Sequence, residues 1–253
     1  ALACVVGFGV GFILCRKMVN NKKRGWNVTK KQFDDLFTAV VLGVIIGGRL
    51  GYVLFYNLPY FLKYPLEIFA VWNGGMSFHG GMLGVLGGVV IFSWLTDRKR
   101  KDNRTGTWPL AWKITDISAV IGPIGLFFGR IANFINMEVM GRVTDKPWGV
   151  VFNGYDPTPR HPSPIYEALT EGVLLFVIMY CLYRYTGLRK RPGAMCGVFA
   201  MGYAVFRVFC EFFRAPDAHI GFLTSWGLTM GQLLSGLMFL AGAIVFGLAF
   251  RKK

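Results

Sequence analysis

Acidic side chains are scarce in this chain. There are 13 Asp and Glu in 253 residues, and charged residues of both signs make up only 16%. A soluble domain carries about 25% charged residues, so a soluble enzyme is disfavoured. Histidine is rarer still, with three, and no H-E-x-x-H pair offers a zinc site. Cys4, Cys15, Cys181, Cys196 and Cys210 are the five cysteines. They are too few for a disulfide scaffold, show no C-x-x-C spacing and sit in or beside apolar runs, so they read as packing residues. A G-x-S-x-G elbow and a phosphate-binding P-loop are also missing. No internal repeat or low-complexity segment occurs. Nothing here calls for a metal or another cofactor.

Apolar sequence is what the chain has instead. Hydrophobic residues reach 54% and the mean hydropathy is +0.46, which excludes disorder. Crossing a bilayer takes about 20 largely apolar residues. Six stretches meet that length, at about 36–56, 77–95, 114–137, 165–183, 194–213 and 228–250. A seventh run, Ala1 to Cys15, is shorter and starts without Met or a basic flank. It reads as a helix lacking its first turns rather than as a signal peptide.

The net charge of +15 suggests nucleic acid until the basic residues are placed. Arg16, Lys17, Lys22, Lys23, Arg24, Lys30 and Lys31 follow the first run, and Arg98, Lys99, Arg100, Lys101, Arg104 and Lys113 follow the third. Arg184, Arg189, Lys190 and Arg191 follow the fifth, and Arg251, Lys252 and Lys253 end the chain. The alternate loops hold only Lys63, Arg142, Lys146, Arg160 and Arg214. Basic loops stay cytoplasmic. The expectation is therefore an all-α integral membrane protein of seven transmembrane helices, N-terminus outside and C-terminus inside. It forms one transmembrane domain over 1–253, with the Pro- and Gly-rich loop at about 138–164 folding as a small outer cap. The basic excess serves topology and contact with anionic membrane lipids, not nucleic acid. Gly43, Gly47 and Gly51, and likewise Gly80, Gly84 and Gly88, recur every fourth residue, a spacing that lets helices cross closely.

Some charges lie inside the apolar runs: Arg49, Arg130, Arg207, Glu167, Glu171 and Glu211. A charge at a membrane helix centre costs about 2.5–3.5 kcal/mol on insertion scales, so such groups turn inward and mark function. With the expected topology all of them fall in the outer half, as does His79 in its glycine-flanked stretch Gly74 to Gly81. Tyr203, Arg207, Glu211 and Arg214 follow at spacings of four, four and three and share one helix face. A polar chamber at the level of the outer leaflet results. Its guanidiniums suit phosphate oxygens, and Arg207 can pair locally with Glu211. A transporter of an anionic solute is the second reading, although a translocation path needs polar groups at the midplane. A CDP-alcohol-type phosphatidyltransferase would need a cluster of metal-binding Asp on adjacent turns, which the apolar runs lack.

Four blocks carry a resemblance. They are Gly47-Gly48-Arg49-Leu50-Gly51-Tyr52-Val53-Leu54-Phe55-Tyr56-Asn57, Gly74 to Gly81 with its Ser77-Phe78-His79-Gly80-Gly81 core, Gly129-Arg130-Ile131-Ala132-Asn133-Phe134-Ile135-Asn136-Met137-Glu138 running on to Gly141-Arg142, and Arg160-His161-Pro162-Ser163-Pro164-Ile165-Tyr166-Glu167 with the later Tyr203, Arg207, Glu211 and Arg214. Met230-Gly231-Gln232 adds a weaker one. From about residue 36 onward the chain resembles the bacterial phosphatidylglycerol–prolipoprotein diacylglyceryl transferase family. The family usually has Gly where Met137 stands and often Gln where Pro164 stands. The resemblance implies transfer of the diacylglyceryl group of phosphatidylglycerol to the lipobox cysteine of prolipoprotein signal peptides, in the bacterial cytoplasmic (inner) membrane and on its outer face. Arg130, Asn133, Arg207, Gly141 and Arg49 are then expected at the lipid headgroup. Glu138, Glu211, Arg214 and Glu167 are expected to orient the arginines. His79, Arg130, Arg207 and Tyr203 are expected to carry the chemistry, with His79 as base for the thiol.

Overall fold

The computed structural model describes residues 2–19, 30–56, 58–70, 77–99, 107–152, 157–215, 224 and 227–251. Regular structure among them is helical: α1 (Leu2–Val19), α2 (Lys30–Tyr56), α3 (Leu58–Lys63), α4 (Phe78–Lys99), α5 (Thr107–Ile135), α6 (Ser163–Glu167), α7 (Leu175–Tyr185), α8 (Ala194–Glu211) and α9 (Met230–Phe250). A π-helical segment, Ala168–Leu174, joins α6 to α7 without a break. Among the described residues five helical stretches are long and apolar enough to cross a membrane: Lys31–Leu54, Leu110–Ile135, Ser163–Tyr185, Ala194–Glu211 and Met230–Phe250. The expected runs at 1–15 and 77–95 also form helices, α1 and α4, without joining the five.

Several helices start earlier than hydropathy suggests. Lys30 and Lys31 extend α2, and Thr107 to Lys113 extend α5, because polar and basic residues are accepted where a helix leaves the apolar layer. Pro164 stands in the first turn of α6, where its missing N–H costs nothing. Helix therefore begins at Ser163, inside the stretch expected as cap. The outward faces are apolar throughout: Leu42, Ile46, Leu50 and Leu54 on α2, Leu83 and Ile91 on α4, and Leu234, Leu237, Leu240, Ile244 and Leu248 on α9 are exposed. Apolar exposure on that scale is at home only in hydrocarbon.

The chain gathers into two compact units, Arg16–Ile114 on one side and Ala1–Cys15 with Thr115–Lys253 on the other. In the first, α2 crosses α4 on the two glycine series. A Cβ added at Gly84 would overlap the Gly43 carbonyl, and one at Gly43 would overlap the Gly84 carbonyl. The backbones themselves touch, so the spacing serves packing here. Val89, Phe92, Leu110, Ala111 and Ile114 form the core beneath, with Leu36, Ala39 and Val40 against it.

In the second unit, Gly172 of the π segment lies directly against Phe127 of α5. π segments widen a helix and occur disproportionately at functional sites. The cap expected at 138–164 is held by isolated antiparallel bridges, Val143 and Val150 to Arg160 and Gly141 to Arg214. It is thereby stitched to the C-terminal end of α8.

Candidate active site

The intramembrane charges of the second unit converge. Glu167, at the end of α6, takes both central arginines: Arg130 Nε of α5 lies 3.0 Å from Oε2 and Arg207 Nη1 of α8 lies 2.5 Å from Oε1. Glu171, one turn on, receives Arg130 Nη2 at 3.1 Å and faces Arg207 Nη1 at 3.8 Å. Arg207 Nη2 pairs with Glu211 Oε1 at 2.6 Å, the local i,i+4 pair that the spacing suggests. Arg214 Nη1 reaches the same oxygen at 3.4 Å, and Thr229 donates to Glu211 Oε2 at 3.0 Å. Glu167 and Glu171 are fully buried, at 0% exposure. A buried carboxylate is tolerable only when paired and hydrogen-bonded, and each of these has an arginine. Three arginines meet three glutamates, so the cluster balances.

Arg130 keeps Nη1 without a hydrogen bond among the described residues, since its bonds use Nε and Nη2. Its side chain is 18% exposed. One guanidinium edge of an otherwise tethered arginine is thus open to a ligand. Tyr203 sits one turn before Arg207, stacks on Phe199 with ring centroids 6.1 Å apart and lies within electrostatic reach of Glu171, Arg130 and Arg207.

Beyond the membrane-level cluster, the cap adds more cations. Arg142 donates to the carbonyls of Arg214 at 3.0 Å and Glu211 at 3.3 Å, and Arg160 donates to the Gly141 carbonyl at 3.3 Å. These contacts tie the cap to the end of α8 and the chain just after it, and Arg160 to Gly141. Gly141 packs so closely on His161 that a Cβ would overlap its backbone. His161 itself is locked between Tyr166, whose hydroxyl is 3.1 Å from Nδ1, and the ring of Phe213.

Two expected site residues make contacts outside the central cluster. Glu138 accepts from Asn133 Nδ2 at 2.8 Å and from Asn136 Nδ2 at 3.3 Å, not from an arginine. It follows the last turn of α5, where the chain doubles back, and the nearest donors are that turn's amides. Asn133 is held by this contact, one turn after Arg130. The reversal uses left-handed backbone at Met137 (φ 57°) and Val139 (φ 58°), a region that L side chains enter at a cost. Arg49 belongs to the first unit. It donates to the carbonyls of Ile68 at 2.9 Å and Glu67 at 2.5 Å and lies over the Phe61 ring, tying α2 to the 3-10 turn Pro65–Phe69.

His79 occupies the first turn of α4, but its side chain lies outside the described residues. Its backbone is fixed nearby: Ser77 N donates to the Gly48 carbonyl at 2.8 Å, and Gly80 N donates to Ser77 Oγ at 3.2 Å. Of the residues missing from the expected site, Glu171 carried a visible signal, a second acid four residues after Glu167 in an apolar run. Thr229 carried one too. Thr229-x-x-Gln232 is a capping box, formed here at the start of α9, and its hydroxyl also reaches Glu211.

Comparison with known proteins identifies the family. The family model for prolipoprotein diacylglyceryl transferase matches residues 1–248. A phosphatidylglycerol–prolipoprotein diacylglyceryl transferase from Rhodospirillum rubrum is 47% identical over 254 residues, 100% of this chain and 88% of its own length. Proteins of the same name are 47% identical in Azospirillum brasilense, covering 100% of this chain and 90% of theirs, and 47% identical in Solidesulfovibrio magneticus, covering 98% and 86%. At this identity and coverage the correspondence runs through every helix described above, and the chain belongs to the prolipoprotein diacylglyceryl transferase family.

Proposed function

We propose that this membrane transferase moves the diacylglyceryl group of phosphatidylglycerol onto the thiol of the lipobox cysteine in prolipoproteins. A thioether-linked lipid forms and glycerol phosphate is released. The chain acts in the bacterial cytoplasmic membrane, with α1 and α4 adding to the five apolar spans to make seven. The N-terminus is outside, the C-terminus inside, and the cap and site face the outer leaflet. The positions of the basic loops support that orientation.

One observation carries the reading of the site. Glu167 holds Arg130 and Arg207 on its two oxygens, so two always-charged guanidiniums stand side by side in an apolar layer. The exposed edge of Arg130, together with Asn133 one turn on, suits an anionic headgroup. Gly141 and the cap close the headgroup's outer side. Glu167, Glu211 and Arg214 keep Arg207 aimed.

The thiolate is the reactive form of cysteine, and a free thiol near pKa 8.5 is mostly protonated at neutral pH. His79 takes that proton. The sulfur then forms a bond to the glycerol carbon that carries the phosphate, and the carbon–oxygen bond breaks with its electrons going to the phosphate. Charge grows on the leaving glycerol phosphate, where fixed cations act most strongly. Arg130 and Arg207 supply them, and the Tyr203 hydroxyl donates a hydrogen bond. Arg207→Lys loses the two-pronged contact and is expected to bind phosphatidylglycerol more weakly and transfer more slowly. Arg130→Ala and Arg207→Ala that keep near-normal transfer and lipid affinity would rule this site out.

A further inference from the structure

Asp116 is a buried acid outside the site. It lies in α5, is 5% exposed and has no arginine or lysine among its hydrogen-bond partners in the described residues. Its two oxygens instead accept from the start of another helix: Oδ2 from Gly193 N and Oδ1 from Cys196 N, each at 2.8 Å. Helix α8 needs this. The first N–H groups of any helix lack partners within it, Gly193 caps α8 with φ 90° and no side-chain bond, and Ala194 and Met195 are fully buried away from solvent. The cap is therefore borrowed from α5, 77 residues earlier.

The same offset recurs up the pair. Gly122 of α5 faces the ring of Phe199 of α8, and Arg130 and Arg207 share Glu167. Residues 116 and 193, 122 and 199, and 130 and 207 are each separated by the interval seen at the clamp. Two parallel helices rising in step give this pattern. From the clamp to the arginines both climb 14 residues, about 21 Å at 1.5 Å per residue. A slip of a single residue would lift one arginine by about 1.5 Å, enough to break a contact such as the 2.5 Å one between Arg207 and Glu167.

We propose that Asp116 is a positioning residue that sets the axial register of α8 against α5, so that Arg130 and Arg207 meet the same carboxylate. The activity arm of its test rests on the proposed function; the structural arm does not. Asp116→Ala removes the clamp. Asp116→Asn leaves one acceptor oxygen where the carboxylate has two and serves as the milder variant if the alanine protein does not accumulate.

The test places ketone-bearing residues at Ile135 and Val205, which are exposed on α5 and α8. They are spin-labelled through oxime chemistry, so the five native cysteines stay in place. Pulsed electron–electron resonance in nanodiscs then reads the distance between the two helices. The parent protein is expected to give one narrow distribution. Asp116→Asn is expected to broaden or shift it, and Asp116→Ala more so, well below the melting temperature. The kcat for transfer should fall, by up to about a hundredfold for a misplacement near 1 Å. An unchanged distribution in both variants would overturn the proposal whatever happens to activity. A shifted distribution with parental kcat would overturn the link from register to chemistry. A parent chain without transferase activity would instead overturn the functional reading and leave the distances to decide the register.

Discussion

Replacing Glu167 by Gln separates the electrostatic design of the site from its chemistry. The substitution keeps shape and one acceptor oxygen but removes the charge that Arg130 and Arg207 share at 3.0 and 2.5 Å. Each arginine keeps a second carboxylate, Glu171 at 3.1 Å for Arg130 and Glu211 at 2.6 Å for Arg207. Breaking a buried pair by removing one partner costs about 3–5 kcal/mol, and those surviving contacts put Glu167→Gln near the lower end, about 3 kcal/mol. For a chain of this size that corresponds to a melting temperature lower by roughly 6–12 °C. The cluster also gains one net positive charge, which favours an anionic headgroup. The expected result is a clear loss of thermal stability in detergent with no rise in KM for phosphatidylglycerol. Unchanged stability together with a large rise in KM would refute the reasoning, because Glu167 would then be contacting the lipid rather than holding the arginines.

Met137→Gly is expected to stabilise the protein. Left-handed backbone costs an L residue about 1–2 kcal/mol, and glycine's greater chain entropy takes back about 0.5–1 kcal/mol, so thermal unfolding should move up by a few degrees with transfer unchanged; a lower melting temperature would contradict the strain at φ 57°. Gly84→Leu should force α2 from α4, since even a Cβ there overlaps the Gly43 carbonyl; overpacking of this kind costs about 1–3 kcal/mol or more, read as reduced accumulation and a lower melting temperature, and a parental value would show that the helices adjust. His79→Gln should abolish the acid limb of the single-turnover pH–rate profile. A histidine base is lost by protonation as pH falls, so the parent rate should drop on the acid side; a variant that keeps the limb and loses only lipid affinity would assign His79 to binding.

Hydropathy and the basic loops make the helical membrane architecture legible in the sequence, because length, apolar content and flanking charge are what a bilayer selects. The shared face of Tyr203, Arg207 and Glu211 is legible for a similar reason, since helical spacing fixes it locally. What is not legible is which partner lies across the fold. Glu138 reads as an arginine's counter-ion, yet the left-handed turn at Met137 folds it onto Asn133 and Asn136. Arg49 looks like its fellow intramembrane arginines, and its contacts with the Ile68 and Glu67 carbonyls leave no trace in the local spacing. Asp116 draws no attention in its run, because the N–H groups it serves are 77 residues away and leave no local pattern. Charged residues in apolar runs therefore announce that a network exists, and the three-dimensional packing decides its membership.

The central claim is the transfer itself, and a doubly labelled donor tests it most directly. Purified protein in detergent or nanodiscs is given phosphatidylglycerol carrying ¹⁴C in its acyl chains and ³²P in its phosphate, together with a peptide containing a lipobox cysteine. Acyl label should move to the peptide through an alkali-stable link at the cysteine, matched by release of ³²P as glycerol phosphate, and both should vanish with a Cys→Ser peptide. Acyl label that never reaches the peptide, or ³²P that travels with it, would contradict the account.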